Sequence, residues 1–211
     1  IFSKGPMEKS SIPEVVVERL PVYIQKLNQL VREGRESVSS QEMAEHLGVT
    51  SAQFRKDLSI FGGFGKQGTG YNVINLLESL RSILNLNQVW EVVLVGVGHL
   101  GQALLSYQGF SQKGFEIVMA FDNNPKVIGK TFAGIEVMDA MEMRNHICPR
   151  GIPIAILTVP AANAQEMTDQ LIRCGVKAIL NYAPVTLKVP DGVRLANIDP
   201  VLSLQTITFY L

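Results

Sequence analysis

The sequence predicts an α/β protein in two parts: an N-terminal winged helix-turn-helix domain, then a Rossmann-type doubly wound parallel sheet. Three observations carry this. From Pro13 to about Asn85 the apolar residues recur at helical spacing, as in Val16, Leu20, Tyr23, Ile24, Leu27, Leu30 and Val31. From Val89 onward, short β-branched runs alternate with helical stretches, the pattern of βαβ units around a sheet buried on both faces. The first of those runs leads straight into a GxGxxG segment at 96–101.

Composition sets the frame. The chain has 211 residues, enough for one or two domains. At 46% hydrophobic and 18% charged it can bury a core, which excludes a largely disordered chain. Nineteen Lys and Arg balance nineteen Asp and Glu, with 10 basic and 9 acidic residues in 1–84 and 9 and 10 in 85–211. Any nucleic-acid contact must therefore come from local placement of charge. No run of about 18 apolar residues occurs, so no transmembrane helix or membrane partner is expected. Cys148 and Cys174 form no CxxC pair and read as reduced apolar fillers, with neither a disulfide nor a metal role expected. Residues 1–6 are too short for a signal peptide and read as vector-derived, with Met7 the natural start and a cytoplasmic location expected.

The predicted domains are 8–85 for DNA binding, 89–198 for the nucleotide fold and 199–211 for a terminal dimerisation helix, with the polar stretch 85–88 as the joint. In the first domain, Ser39 or Ser40 can cap a helix that ends at Gly48, and Thr50 or Ser51 can cap the next, running through Phe61. Ala44 lets two helices approach, Gly48 permits a left-handed turn, and Phe54 buries the second helix. These three residues also fit any αα-hairpin. Two further features favour DNA. The second helix presents Arg55 and Lys56, with Ser51 at its start, where phosphate and guanine contacts are made. The glycine-dense stretch 62–71 then reads as a wing, with Lys66 at the tip, Gly68 for close approach and Tyr71 at its base.

In the second domain the predicted strands are 89–95, 115–121, 154–159, 176–180 and 193–198, with helices at 99–112, 139–147 and 161–173. The phosphate loop is Gly96, Val97, Gly98, His99, Leu100 and Gly101. Gly96 makes the tight turn, Gly98 lets a pyrophosphate approach the backbone, and Gly101 lets helix and strand pack closely. Asp122 ends the second strand, 21 residues beyond Gly101, where a carboxylate takes ribose hydroxyls and repels a 2′-phosphate. The following Asn123 and Asn124 offer no arginine to such a phosphate, so the expected cofactor is NADH or NAD+. A strand-end aspartate that merely caps a turn is the plainer alternative.

An NAD-dependent dehydrogenase with an appended helix-turn-helix is the rival function, and a DNA-binding protein responsive to another nucleotide is a third. The 123 residues beyond position 88 suffice for one nucleotide fold, whereas a dehydrogenase also needs an acid/base beside the nicotinamide. His46, His99 and His146 are all poorly placed for that task. The expectation is therefore a non-enzymatic protein whose cofactor is the signal.

Several stretches in this order resemble the Rex family of redox-sensing transcriptional repressors over residues 9–211. They are Arg19-Leu20-Pro21-Val22-Tyr23, Arg55-Lys56-Asp57-Leu58-Ser59, Gly68-Thr69-Gly70-Tyr71, Met119-Ala120-Phe121-Asp122, Thr158-Val159-Pro160 and Asn181-Tyr182-Ala183-Pro184, besides the phosphate loop. The resemblance implies a homodimeric repressor that binds palindromic operator DNA while NADH is scarce and is released by NADH. It implies that Thr158, Val159, Pro160, Asn181 and Pro184 lie along the cofactor, and that Arg19, Tyr107 and Asp199 form a ligand-sensitive contact. Pro200 departs from the family's usual apolar residue after that aspartate. The terminal stretch 199–211 reads as a helix capped by Asp199 and opened by Pro200. By the same resemblance it is a C-terminal swapped helix, inserted between the partner's domains rather than docked on its own.

Overall fold

In the computed structural model the described residues are 12–64 and 70–211, and they divide into two compact units, Ile1–Asn87 and Gln88–Leu211. The first unit opens with α1 (Glu14–Arg32), which turns Leu20, Tyr23, Leu27 and Leu30 inward at steps of three and four. Pro21 sits inside α1 and forgoes one hydrogen bond to the preceding turn. Strand β1 (Ser37–Val38) leads to α2 (Ser40–Leu47), where the Ser39 hydroxyl accepts the Glu42 N–H at 3.0 Å. Gly48, at φ 64°, makes the left-handed turn into α3 (Ser51–Phe61), whose cap Thr50 accepts the Gln53 N–H at 3.0 Å. Strand β2 (Tyr71–Asn72) pairs antiparallel with β1, and α4 (Val73–Ile83) begins at the Asn72 cap. Tyr23, Met43, Phe54, Leu58, Leu76 and Leu80 meet in one core, so α2 and α3 are held as a helix-turn-helix on α1 and α4.

The second unit is a seven-stranded sheet. Its elements are β3 (Trp90–Val95), α5 (His99–Leu105), β4 (Phe115–Asp122), β5 (Thr131–Phe132), β6 (Ile135–Asp139), α6 (Met143–Arg150), β7 (Ile154–Leu157), α7 (Ala161–Arg173), β8 (Ala178–Asn181), β9 (Arg194–Asn197) and α8 (Pro200–Thr208). The order is β5-β6-β4-β3-β7-β8-β9, all parallel except β5 against β6. Along β3, Val93 and Val95 join one core with Phe121, Leu157 and Leu171, while Val92 and Leu94 join the opposite core with Leu105 and Ile156. The strands are apolar on both faces because both faces are covered. The chain winds from β3 through β4 to β6, then returns to place β7 on the other side of β3. That reversal opens a crevice at the carboxyl ends of β3 and β7.

Several expectations need correction. The sheet is not wholly parallel: the antiparallel edge strand β5 and its neighbour β6 were not foreseen, since two short strands around Gly134 show too few alternating residues to register. The helix expected over 99–112 stops at Leu105. There the chain turns so that Gly109 passes under the Tyr107 ring, where any Cβ would overlap the ring, and Tyr107 stacks edge-on against Phe110 at 5.4 Å. Cys148 and Cys174 are joined as a disulfide, contrary to the reduced-filler reading. Their separation of 26 positions conceals that α6 and the end of α7 lie side by side, with the two Cα atoms 4.3 Å apart.

Terminal helix α8 has the expected cap, the Asp199 carboxylate accepting the Val201 N–H at 2.9 Å, and the expected proline in its first turn. It ends at Thr208 and buries none of its residues against its own chain. No helix among the described residues is long and apolar enough to cross a membrane, and none of their side chains cluster as a metal site.

Candidate nucleotide site and nucleic-acid interface

The crevice beside β3 is a cavity of about 680 Å³, within the range that holds a small-molecule ligand. Each glycine of the loop there has a distinct constraint. Gly96 has φ +97°, and a Cβ on it would sit 2.8 Å from the Thr158 carbonyl. Gly101 lies against the Gly96 carbonyl, where a Cβ has no room, so α5 packs directly onto the strand end. Gly98 is the opposite case: nothing lies within 4 Å of its Cβ position, and it borders the cavity. A methyl group there would point into the space that a ligand needs. The residues present therefore fit a dinucleotide phosphate, with backbone approach at Gly98 and the rest of the loop braced behind it.

Asp122 joins this loop from the next strand. Its Oδ2 accepts the Val97 N–H at 2.5 Å and its Oδ1 accepts the Asn124 N–H at 2.7 Å. The turn-capping alternative thus describes part of what it does. A carboxylate has about four lone-pair positions, so each oxygen keeps capacity for a ribose hydroxyl. Thr158 braces the loop from β7's end, its hydroxyl donating to the Gly96 carbonyl at 2.5 Å.

The structure brings Gly96, Gly98, Asp122, Asn123, Thr158, Val159, Pro160 and Pro184 to the cavity wall. It does not bring the others. Val97 is buried behind the loop, Gly101 is in the helix–strand contact, and His99 and Leu100 are exposed on α5. Asn181 is buried at 1% exposure, its amide donating to Ala183, Val185 and Asn197 while its oxygen accepts the Ala183 N–H at 2.9 Å. It builds the turn that carries Tyr182 and Pro184 to the wall. Sequence reasoning missed Met141, Asn163, Glu166, Met167 and Gln170, which also line the cavity. The α7 members, spaced at three and four residues, lay in an expected helix, and their shared face was the available signal.

The residues expected to act as a switch are engaged locally. Arg19 forms an ion pair with Asp57 at 2.6 Å. Tyr107 is exposed beside a smaller apolar cavity of about 260 Å³ lined by Val92, Ile154, Ile156 and Leu180. Asp199 caps α8.

On the helix-turn-helix, Lys56 is exposed and Ser51 half-buried at the start of α3. Arg55 is exposed and donates to the Ser40 hydroxyl at 2.9 Å, which holds it over the α2–α3 junction. Tyr71 packs edge-on against Phe54 at 5.6 Å, and burial raises its hydroxyl pKa against the opposing charge of Arg55. Lys66 and Gly68 lie outside the described residues.

Similarity to known proteins covers both units. Residues 87–185 match the family model described as a CoA binding domain, and residues 11–59 match that of a putative DNA-binding protein N-terminus. The chain is 52% identical to the redox-sensing transcriptional repressor Rex of Roseiflexus sp. (strain RS-1), over 94% of this chain and 90% of that one. To the Rex repressor of Chloroflexus aggregans (strain MD-66 / DSM 9485) it is 50% identical, over 97% of each. Among solved structures, RSP in complex with β-NAD+ and operator DNA superposes with a TM-score of 0.91 at 41% identity, covering 96% of this chain and 93% of that one. RSP in complex with β-NADH superposes with a TM-score of 0.87 at 39% identity, over 96% and 95%. RSP is described as a Rex-family repressor. The chain belongs to the Rex family of redox-sensing transcriptional repressors.

Proposed function

We propose that this protein is a transcriptional repressor that binds operator DNA as a homodimer and reports the NADH/NAD+ balance by letting go when NADH binds. The observation that carries the reading is the pairing, in one chain, of a helix-turn-helix with two outward cations and a dinucleotide crevice with an acidic ribose position. Relatives of nearly full length are named as redox-sensing repressors, and a similar structure is described with both NAD+ and operator DNA. It is not an enzyme: NADH acts by occupying the crevice, and no substrate is turned over. DNA contact requires a cytoplasmic location.

Within this reading Gly96, Val97, Gly98, His99, Leu100 and Gly101 form the loop over the pyrophosphate, with Asp122 and Asn123 at the ribose. Thr158, Val159, Pro160 and Pro184 continue the wall, and Asn181 shapes it from behind. Ser51, Arg55 and Lys56 approach the major groove, and Lys66, Gly68 and Tyr71 belong to the wing. The exposed apolar α8 is the surface on which two copies pair. Arg19, Tyr107 and Asp199 carry the ligand-sensitive contact. NADH can move the protein off DNA only through a differential affinity for two dimer arrangements, which place the recognition helices at different spacings.

The test is fluorescence anisotropy of labelled palindromic operator with NADH, NAD+, NADPH or ATP added, while absorbance at the nicotinamide band is followed. Release by NADH at constant absorbance supports the sensor. Steady consumption of NADH with an added carbonyl substrate supports the dehydrogenase, and release by ATP alone supports the third reading.

A further inference from the structure

One buried charge lies outside everything assigned so far. Asp57 follows Arg55 and Lys56 on α3 but faces the other way: it is 0% exposed, while both cations are in solvent. At about 100° per residue, three successive positions place two side chains outward and the third inward. The Asp57 carboxylate accepts four hydrogen bonds. Arg19 donates through Nε at 2.6 Å and Nη2 at 2.7 Å, the Tyr23 hydroxyl donates at 2.7 Å, and Gln53 donates at 2.6 Å. Arg19 and Tyr23 stand one turn apart on α1, and Gln53 and Asp57 one turn apart on α3.

A buried ion pair is a poor device for stability alone, since packed apolar residues of similar volume often do as well or better. What it adds is geometry. Apolar side chains such as Phe54 and Leu58 tolerate some sliding, but a bidentate guanidinium–carboxylate pair does not. A roll of α3 by roughly 20° would carry side-chain ends, about 5 Å from the axis, by about 2 Å. A bidentate guanine contact does not survive that displacement.

We infer that Asp57 is a positioning residue for operator readout: held by Arg19, Tyr23 and Gln53, its carboxylate fixes the roll of α3 on α1 and so aims Arg55 and Lys56. The inference rests on the operator-binding reading. It makes sequence discrimination depend on a residue that touches no DNA, while phosphate attraction, which tolerates angular error, does not depend on it.

The experiment uses the full chain. A duplex is first enriched from a random pool by the parent protein, and anisotropy then gives affinities for that duplex and for an unrelated one of equal length at several salt concentrations. Asp57→Asn should lose at least tenfold in affinity for the enriched duplex. Its affinity for the unrelated duplex and its salt slope should match the parent's, so the ratio of the two DNA affinities falls. Tyr23→Phe removes one of the four bonds and should lower that ratio about threefold. A merely structural role would weaken both duplexes alike and leave the ratio of their affinities at the parent's value. If Asp57→Asn does not fold, Tyr23→Phe decides alone. A parent that enriches no sequence overturns the operator reading and this inference with it. A parent that enriches one, while the folded variants keep its affinity ratio, overturns this inference only.

Discussion

Asp122 Oδ2 accepts the Val97 N–H at 2.5 Å, so the carboxylate that ends β4 also braces the phosphate loop that follows β3. One group thus serves two ends: it stiffens the loop and presents negative charge where a ribose would sit. Replacement by alanine should act on both. Asp122→Ala should bring the NADH and NADPH affinities to within about tenfold of each other, since the group that repels a 2′-phosphate is gone. It should also cost about 1–3 kcal/mol of stability, because the Val97 and Asn124 N–H groups lose their acceptor. Fluorescence titration with both cofactors and a urea melt measure the two effects. NADPH still rejected as strongly as in the parent would remove Asp122 from cofactor selection.

The glycines of the same loop should separate binding from folding. Nothing lies within 4 Å of the Cβ that Gly98→Val would add, so it should leave the melting temperature near the parent's while abolishing NADH binding by filling space at the cavity wall. Gly101→Ala forces a methyl group against the Gly96 carbonyl and should destabilise the second unit by about 1–3 kcal/mol. Calorimetry beside NADH titration distinguishes them. A Gly98→Val protein with normal NADH affinity would place the nucleotide elsewhere.

This contrast shows what the sequence could reveal. GxGxxG between a strand and a helix specified the loop because Gly96 and Gly101 answer local steric demands and Gly98 keeps the cavity wall clear. The caps at Ser39 and Thr50, the left-handed turn at Gly48 and helix 161–173 were legible for the same reason. Features set by distant packing were not. The Cys148–Cys174 bridge depends on α6 lying beside the end of α7, and the place of Asn181 in a buried turn depends on Asn197, sixteen residues on. The short strands β5 and β6 gain their identity from pairing, and the cavity residues of α7 from the tertiary placement of that helix.

For the DNA interface, Arg55→Ala should weaken operator binding by about 1–3 kcal/mol and relax the preference at one base pair of each half-site, as loss of a guanine contact does. Arg55 is exposed and its side chain donates to the Ser40 hydroxyl on the surface, so the fold should not change. Competition anisotropy against single-base operator variants reads this out. Uniform weakening on every sequence would instead mark Arg55 as a phosphate contact.

Acid should expose the contribution of Asp57 to stability. Burial pushes its carboxyl pKa up, but hydrogen bonds from Arg19, Tyr23 and Gln53, with the charge of Arg19, outweigh burial and leave it below the ordinary aspartate value. A depressed pKa means the folded state binds fewer protons than the unfolded chain, so the contribution is complete above that value and is lost as pH falls through the folded one. The destabilisation caused by Asp57→Asn should therefore be constant from about pH 5 to 8 and shrink below about pH 4. Urea melts across that range test it. A gap that varies through neutral pH would contradict the assignment.

The central claim is that NADH and operator DNA are opposed ligands of one protein, and linkage gives it a strict form. If NADH weakens operator binding by some factor, operator must weaken NADH binding by the same factor. The decisive measurement is the NADH Kd with and without saturating operator duplex, set beside the operator Kd with and without saturating NADH. Two matching factors, each of at least about fivefold, are the predicted result. An NADH affinity unchanged by bound operator would contradict the account, since the two sites would then be uncoupled.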